Sequence, residues 1–205
     1  MNITLFGASG RVGSLLVIEL LKRGHRVTAF VHSNTQAFAE SPHLHIAVGD
    51  VHAAIDVRNA VQNADIVIST LGSWGTPTKD IVSTATTHLL PLLKGKRFIG
   101  VTGAGARLPH EKFGYSGTLN RLLLKIIASP VLRDADEHLR LLSSSDCSWV
   151  VVRSPVMTGS KKSEYTLGAQ SPKPWHTIPR TAVVRALADI VDGKTTQTNA
   201  PFITA

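Results

Sequence analysis

Six short apolar runs punctuate the chain, at 2–6, 26–31, 44–48, 65–69, 97–102 and 148–153. Each is rich in Val, Ile, Thr or Phe, and most are nearly continuous rather than alternating. Continuous runs of this length predict parallel strands buried on both faces. Between them, apolar positions recur at helical spacing. Val12, Leu15, Leu16 and Leu20 place a first helix over 11–23, closed by Gly24. Further helices are expected over 53–62, 78–93, 115–128, 133–144 and 180–192, with a short one over 34–40. The stretches 103–114 and 154–179 read as loop, the second holding four prolines and two glycines.

Strands alternating with helices imply an α/β fold with one doubly wound, mainly parallel sheet and helices on both faces. The 205 residues fit one such Rossmann domain, 1–205. In it, ligands meet the carboxyl ends of the strands. The loops at 73–78, 103–114 and 154–179 would then stand on the substrate side.

Composition narrows the picture. Hydrophobic residues make up 43% and aromatics only 5%, so the core should be aliphatic. The lone Cys147 permits no internal disulfide and reads as a small core residue in a reducing, cytoplasmic setting. No run approaches a membrane span, and a strand from Asn2 leaves no room for a signal peptide. The net charge is +8, but the cations are scattered, clustering only at 94–97 and 161–162. That argues against nucleic acid and fits attraction for a phosphorylated cofactor. His43, His45 and His52 are close in sequence without the spacing of a metal site.

The most informative stretch is "GASGRVG", where the first strand hands over to the first helix. Gly7 permits a tight turn, Gly10 permits close approach, and Gly13 lets the helix pack on the sheet. Backbone N–H groups around Ser9, Arg11 and Val12, with the positive helix end, would then receive a pyrophosphate.

The G-x-x-G-x-x-G spacing resembles the short-chain dehydrogenase/reductase superfamily in its extended and atypical branches. Other stretches are similar to the NAD(P)H-binding proteins around NmrA, flavin (biliverdin) reductase B and the NADH-flavin reductases. "VGDV" at 48–51 looks like the Gly-Asp after the third strand; Asp50, beside Val51, would reach the adenine amino group. "NADIVISTLG" at 63–72 places Leu71 and Gly72 along the adenine ribose. "FIGVTGAGA" at 98–106 puts Thr102 and Gly103 by the nicotinamide, and "WVVVRSP" at 149–155 resembles the Arg-Pro ending the sixth strand.

The second strand ends in "VHSN", with no acid before Glu40 to repel a 2′-phosphate. His32, Ser33, Asn34 and Arg11 suit a phosphate. NADP(H) is favoured, with NAD(H) open. The superfamily's Tyr-x-x-x-Lys pair is missing, since Tyr115 is followed four residues on by Leu119. Thr102 is the nearest hydroxyl and the one candidate proton donor. Trp74, Tyr115, Pro155 and Trp175, the last beside His176, are candidates for a pocket taking a planar ring. Asp136 and Glu137 read as acids at a helix start, and Arg153 as a buried tether.

Two functional classes follow. One is an NAD(P)H-dependent reductase passing hydride to a flavin such as FMN or FAD, a quinone, or a similar planar acceptor. The other is an NmrA-like redox sensor that binds NADP(H) without turnover. A nucleotide-sugar isomerase fits less well, because little chain follows the sixth strand. Oligomeric state, monomer or homodimer, is open.

Overall fold

The computed structural model describes residues 1–33 and 38–205, with the backbone alone at Ser116 and Asn120. The short helix expected over 34–40 and the candidate Asn34 lie mostly or wholly outside the described residues.

The six apolar runs form β1 (Asn2–Phe6), β2 (Arg26–Val31), β3 (Leu44–Val48), β4 (Ile66–Ser69), β5 (Arg97–Gly103) and β6 (Ser148–Ser154). The helices are α1 (Gly13–Lys22), α2 (Ala54–Val61), α3 (Ile81–Leu89), α4 (Tyr115–Ile127), α5 (Ser129–Ser143) and α6 (Arg180–Val191). The segment 154–179 departs from the expected loop. It carries β7 (Val156–Thr158), β8 (Thr166–Gly168) and β9 (Thr177–Pro179), and β10 (Phe202–Thr204) closes the chain. Strands of three residues are too short to show a period, which is why the pattern misses them.

Eight strands form one sheet in the order β3-β2-β1-β4-β5-β6-β10-β8, and β7 pairs with β9 apart from it. All pairings in the main sheet are parallel except β10 with β8. β4 and most of β1, β5 and β6 are buried on both faces, as continuous apolar runs require. β3 is an edge strand and is only half-buried. Ile3, Leu5, Ile68, Ile99 and Val152 pack against α1 and α6 on one face. Phe6, Val67, Phe98 and Val151 pack against α2, α3 and α5 on the other.

Helix boundaries shift in informative ways. α1 starts at Gly13, leaving Arg11 and Val12 in the turn. α3 gives way at Leu90–Leu92 to a 3-10 turn around Pro91. α5 begins at Ser129, with Pro130 in its first turn, where a missing N–H does no harm. Asp136 and Glu137 therefore stand inside α5, which overturns their reading as partners of a helix start. Asp136 instead accepts from Arg121 at 2.9 Å and from the Arg107 amide at 2.9 Å. Glu137 pairs with Arg140 at 2.7 Å. Among the described residues, no helix is long and apolar enough to cross a membrane.

Candidate functional site

β1 runs into Gly7, whose φ of 74° is left-handed. A Cβ there would lie 2.9 Å from the carbonyl carbon of Thr70 and 3.0 Å from the Leu71 nitrogen. Only glycine lets this turn close on the chain leaving β4. Thr70 secures the contact, its amide donating to the Phe6 carbonyl at 3.0 Å. Its hydroxyl lies 3.1 Å from the carbonyls of both Phe6 and Gly7.

The turn then folds on itself. The Gly10 amide donates to the Gly7 carbonyl at 3.0 Å, and the Ser14 amide to the Gly10 carbonyl at 2.9 Å. Gly13 meets the tightest limit, since a Cβ would fall 2.1 Å from the Gly7 oxygen. Gly13 thus seats the start of α1 on the backbone of the turn itself.

Among the described residues, the amides of Arg11, Val12 and Gly13 enter none of the turn's backbone hydrogen bonds. No side chain caps α1, and its first turn holds no acid. Ser9, Gly10 and Arg11 are exposed around it. Free N–H donors at a helix start, without a side chain in the way, suit an anion such as a diphosphate.

The turn sits where the chain changes direction across the sheet. β2 and β3 lie to one side of β1, and β4, β5 and β6 to the other. This switch point is where a doubly wound sheet opens a crevice. An added Cβ at Gly72 or Gly103 would find nothing within 4 Å, so the edge is open beyond β4 and β5 as well.

To one side stand His32 and Ser33, both exposed, and Asp50. The Asp50 Oδ1 accepts from the His52 amide at 2.9 Å and lies 3.0 Å from its Nδ1. The His52 amide holds the Asp50 carboxyl below the usual carboxylate range, helped by the imidazole. Asp50 in turn raises the His52 pKa, with Asp80 3.6 Å away assisting. His88 Nδ1 donates to the carbonyl of buried Val51 at 2.9 Å.

To the other side, Thr102 is half-buried and pairs in register with Arg153. Arg153 is 2% exposed and tethered, as its place in a buried strand demands. It reaches Glu111 through two bonds of 2.6 and 2.9 Å, donates to the Ala200 carbonyl at 2.9 Å and stacks over Phe202. The loop 103–114 is thereby pinned, and Arg121 adds a bond to the Gly105 carbonyl at 2.8 Å.

The candidate pocket residues are not gathered into a wall. Trp74, Tyr115 and Trp175 are 63%, 88% and 70% exposed on three separate segments, with Pro155 half-buried. Tyr115 is the first residue of α4, and Trp175 meets His176 edge-on. Cys147 is half-buried beside the apolar cluster, its sulfur 3.0 Å from the Ser145 hydroxyl. Thr70, Ser73 and Asp134 were not foreseeable from periodicity. Their importance comes from contacts more than 50 residues apart in the chain.

Comparison with solved structures agrees with this geometry. A Veillonella parvula short-chain dehydrogenase/reductase of wide type, in complex with NADP, matches with a TM-score of 0.80 and 18% identity, covering 100% of this chain and 94% of that one. ChuY, an anaerobillin reductase from Escherichia coli O157:H7, matches with a TM-score of 0.78 and 19% identity, covering 100% and 97%. A Streptococcus pneumoniae protein named for NADH-flavin reductase activity matches with a TM-score of 0.77 and 24% identity, covering 100% and 99%. At these identities the likeness establishes the fold. The profile of the NAD(P)H-binding family matches residues 7–194, from the first glycine of the turn to beyond α6. The chain therefore belongs to the NAD(P)H-binding family.

Proposed function

We propose that the protein is an NAD(P)H-dependent reductase of a flavin, a quinone or a similar planar acceptor. The observation that carries this reading is the cradle of Arg11, Val12 and Gly13 amides, which among the described residues enter none of the turn's backbone hydrogen bonds, open at the switch point of the sheet. The names of the neighbours, an anaerobillin reductase and an NADH-flavin reductase, support it.

When bound, the nicotinamide supplies a hydride from C4, so it is oxidised by two electrons as the acceptor is reduced. The chain's own tasks are to bind, orient and exclude water. The amides of Arg11, Val12 and Gly13 would hold the pyrophosphate, and Asp50 would accept from the adenine amino group. Leu71 and Gly72 would line the ribose. The Arg11 guanidinium, with His32 and Ser33, would face a 2′-phosphate, which favours NADP(H) over NAD(H). Thr102, at the end of β5, can donate the acceptor's proton, and solvent can replenish it. Trp74, Tyr115, Pro155 and Trp175 would border the acceptor.

The absent Tyr-Lys pair favours a second reading, an NADP(H) sensor without turnover. Steady-state NADPH oxidation with FMN and with quinones separates the two. The reductase reading expects saturable turnover with at least one acceptor. Tight NADPH binding without turnover on any of them would leave the sensor.

A further inference from the structure

Behind the loop that leaves β4 lies a carboxylate that the nucleotide reading does not use. Asp134, in the second turn of α5, is 5% exposed. Its Oδ1 accepts the Ser83 amide at 2.8 Å, and its Oδ2 accepts the Val82 amide at 3.2 Å. These amides belong to the first turn of α3. Its own N-cap residue, Asp80, makes no side-chain capping bond. The cap is therefore supplied from α5, across the helix interface. Asp134 Oδ2 also accepts the hydroxyl of Ser73, which is itself 2% exposed.

One turn further along α5, on the same face, His138 repeats the grip. Its Nδ1 lies 2.6 Å from the Thr86 hydroxyl, which donates to the Val82 carbonyl at 2.7 Å. With the hydroxyl proton used there, Nδ1 carries its own proton and donates. Burial holds this imidazole neutral, its pKa pushed down to about 4. α3 is thus held from α5 at two levels, and Ser73 is drawn into the upper one.

Capping α3 needs only the Val82 and Ser83 amides. The bond to Ser73 does something else, because Ser73 follows directly on Leu71 and Gly72. We infer that Asp134 is a positioning residue for the nucleotide site. Through Ser73 it fixes the backbone of Leu71 and Gly72 at the height where the cofactor's ribose would lie, and it leaves Trp74 outside. The inference rests on the reading of Leu71 and Gly72 as cofactor-lining. The role suits a carboxylate: two oxygens accept three donors, whereas an asparagine offers one acceptor oxygen and an NH2 facing amide donors. Loop and helix are held by one buried group, so disturbing either partner is felt by the other.

The test uses Ser73→Ala and Asp134→Ala, singly and combined, in the full chain. NADPH affinity is measured by calorimetry, local opening by hydrogen exchange, and stability by thermal melting. Ser73→Ala is expected to weaken NADPH about tenfold, the scale of one lost hydrogen bond. Exchange should quicken over 70–76. Asp134→Ala should weaken binding at least as much, and the double variant no more than Asp134→Ala alone. Should Asp134→Ala fail to fold, Ser73→Ala decides by itself. A lowered melting temperature with NADPH affinity within about twofold of wild type would mean a structural cap only and overturn the inference. If the wild-type chain binds no NADPH, the cofactor reading falls first and takes this inference with it. Wild-type binding that Ser73→Ala leaves unmoved overturns this inference alone.

Discussion

Between β1 and β4 the ligand edge is made of backbone; beyond β5 and β6 it is held by side chains. At the first place, Gly7, Gly10 and Gly13 bring main chain against main chain, and the donors left over are peptide amides. At the second, the Arg153–Glu111 and Arg121–Asp136 pairs pin the loop 103–114. A backbone site tolerates few residues and suits what every nicotinamide dinucleotide shares, its diphosphate. A side-chain site can be rebuilt by changing its loops, so it suits the variable partner, the acceptor.

Substitutions can pull the two regions apart. The largest effect is expected from Gly13→Ala. Its Cβ would stand 2.1 Å from the Gly7 oxygen, and backbone on both sides leaves little room to yield. A loss of about 3 kcal/mol in stability, with no detectable NADPH binding, is expected from thermal melting and titration. Glu111→Ala comes next. It leaves the Arg153 guanidinium buried without its carboxylate, at a cost of about 3 kcal/mol in denaturant unfolding. Because the nucleotide turn is untouched, the folded fraction should bind NADPH as wild type does, while acceptor turnover falls.

Trp74→Ala should be milder. Its exposed ring supports no core, so stability should hold within about 0.5 kcal/mol. The KM for the acceptor should rise roughly fivefold, the scale of one lost aromatic contact, with NADPH affinity unchanged. The smallest effect belongs to His52→Ala. Asp50 raises the His52 pKa, so this stabilisation is complete below the ordinary histidine value of 6.5 and fades as pH rises through the raised one. The Asp50 pKa is lowered, so its share is present above the ordinary value of 3.8 and lost in acid. Wild-type melting temperature should therefore slip slightly between about pH 6 and 8, and His52→Ala should flatten that slope.

The same division explains what could be read from the chain alone. The main strands were legible because burial on both faces makes them uniformly apolar, and the glycine turn because Gly7 and Gly13 leave no room for a Cβ. Both signals are local. Arg153 was legible in part, as a charge in an apolar strand needs a partner, though nothing local names Glu111. Asp134 was invisible, since its partners Ser73, Val82 and Ser83 meet it only through the packing of α3 on α5. The start of α5 was misplaced because Ser129 and Pro130 look like a break, when Pro130 in fact stands in the first turn. The strands after β6 fell below the length at which periodicity speaks.

The nucleotide cradle can be tested directly by calorimetric titration of the chain with NADPH, NADP+, NADH and NAD+, alongside Gly10→Val as a folded control. Saturable heat is expected, strongest for the 2′-phosphorylated pair and abolished in Gly10→Val, with circular dichroism unchanged. Flat titrations for all four nucleotides in the wild-type chain would contradict the assignment.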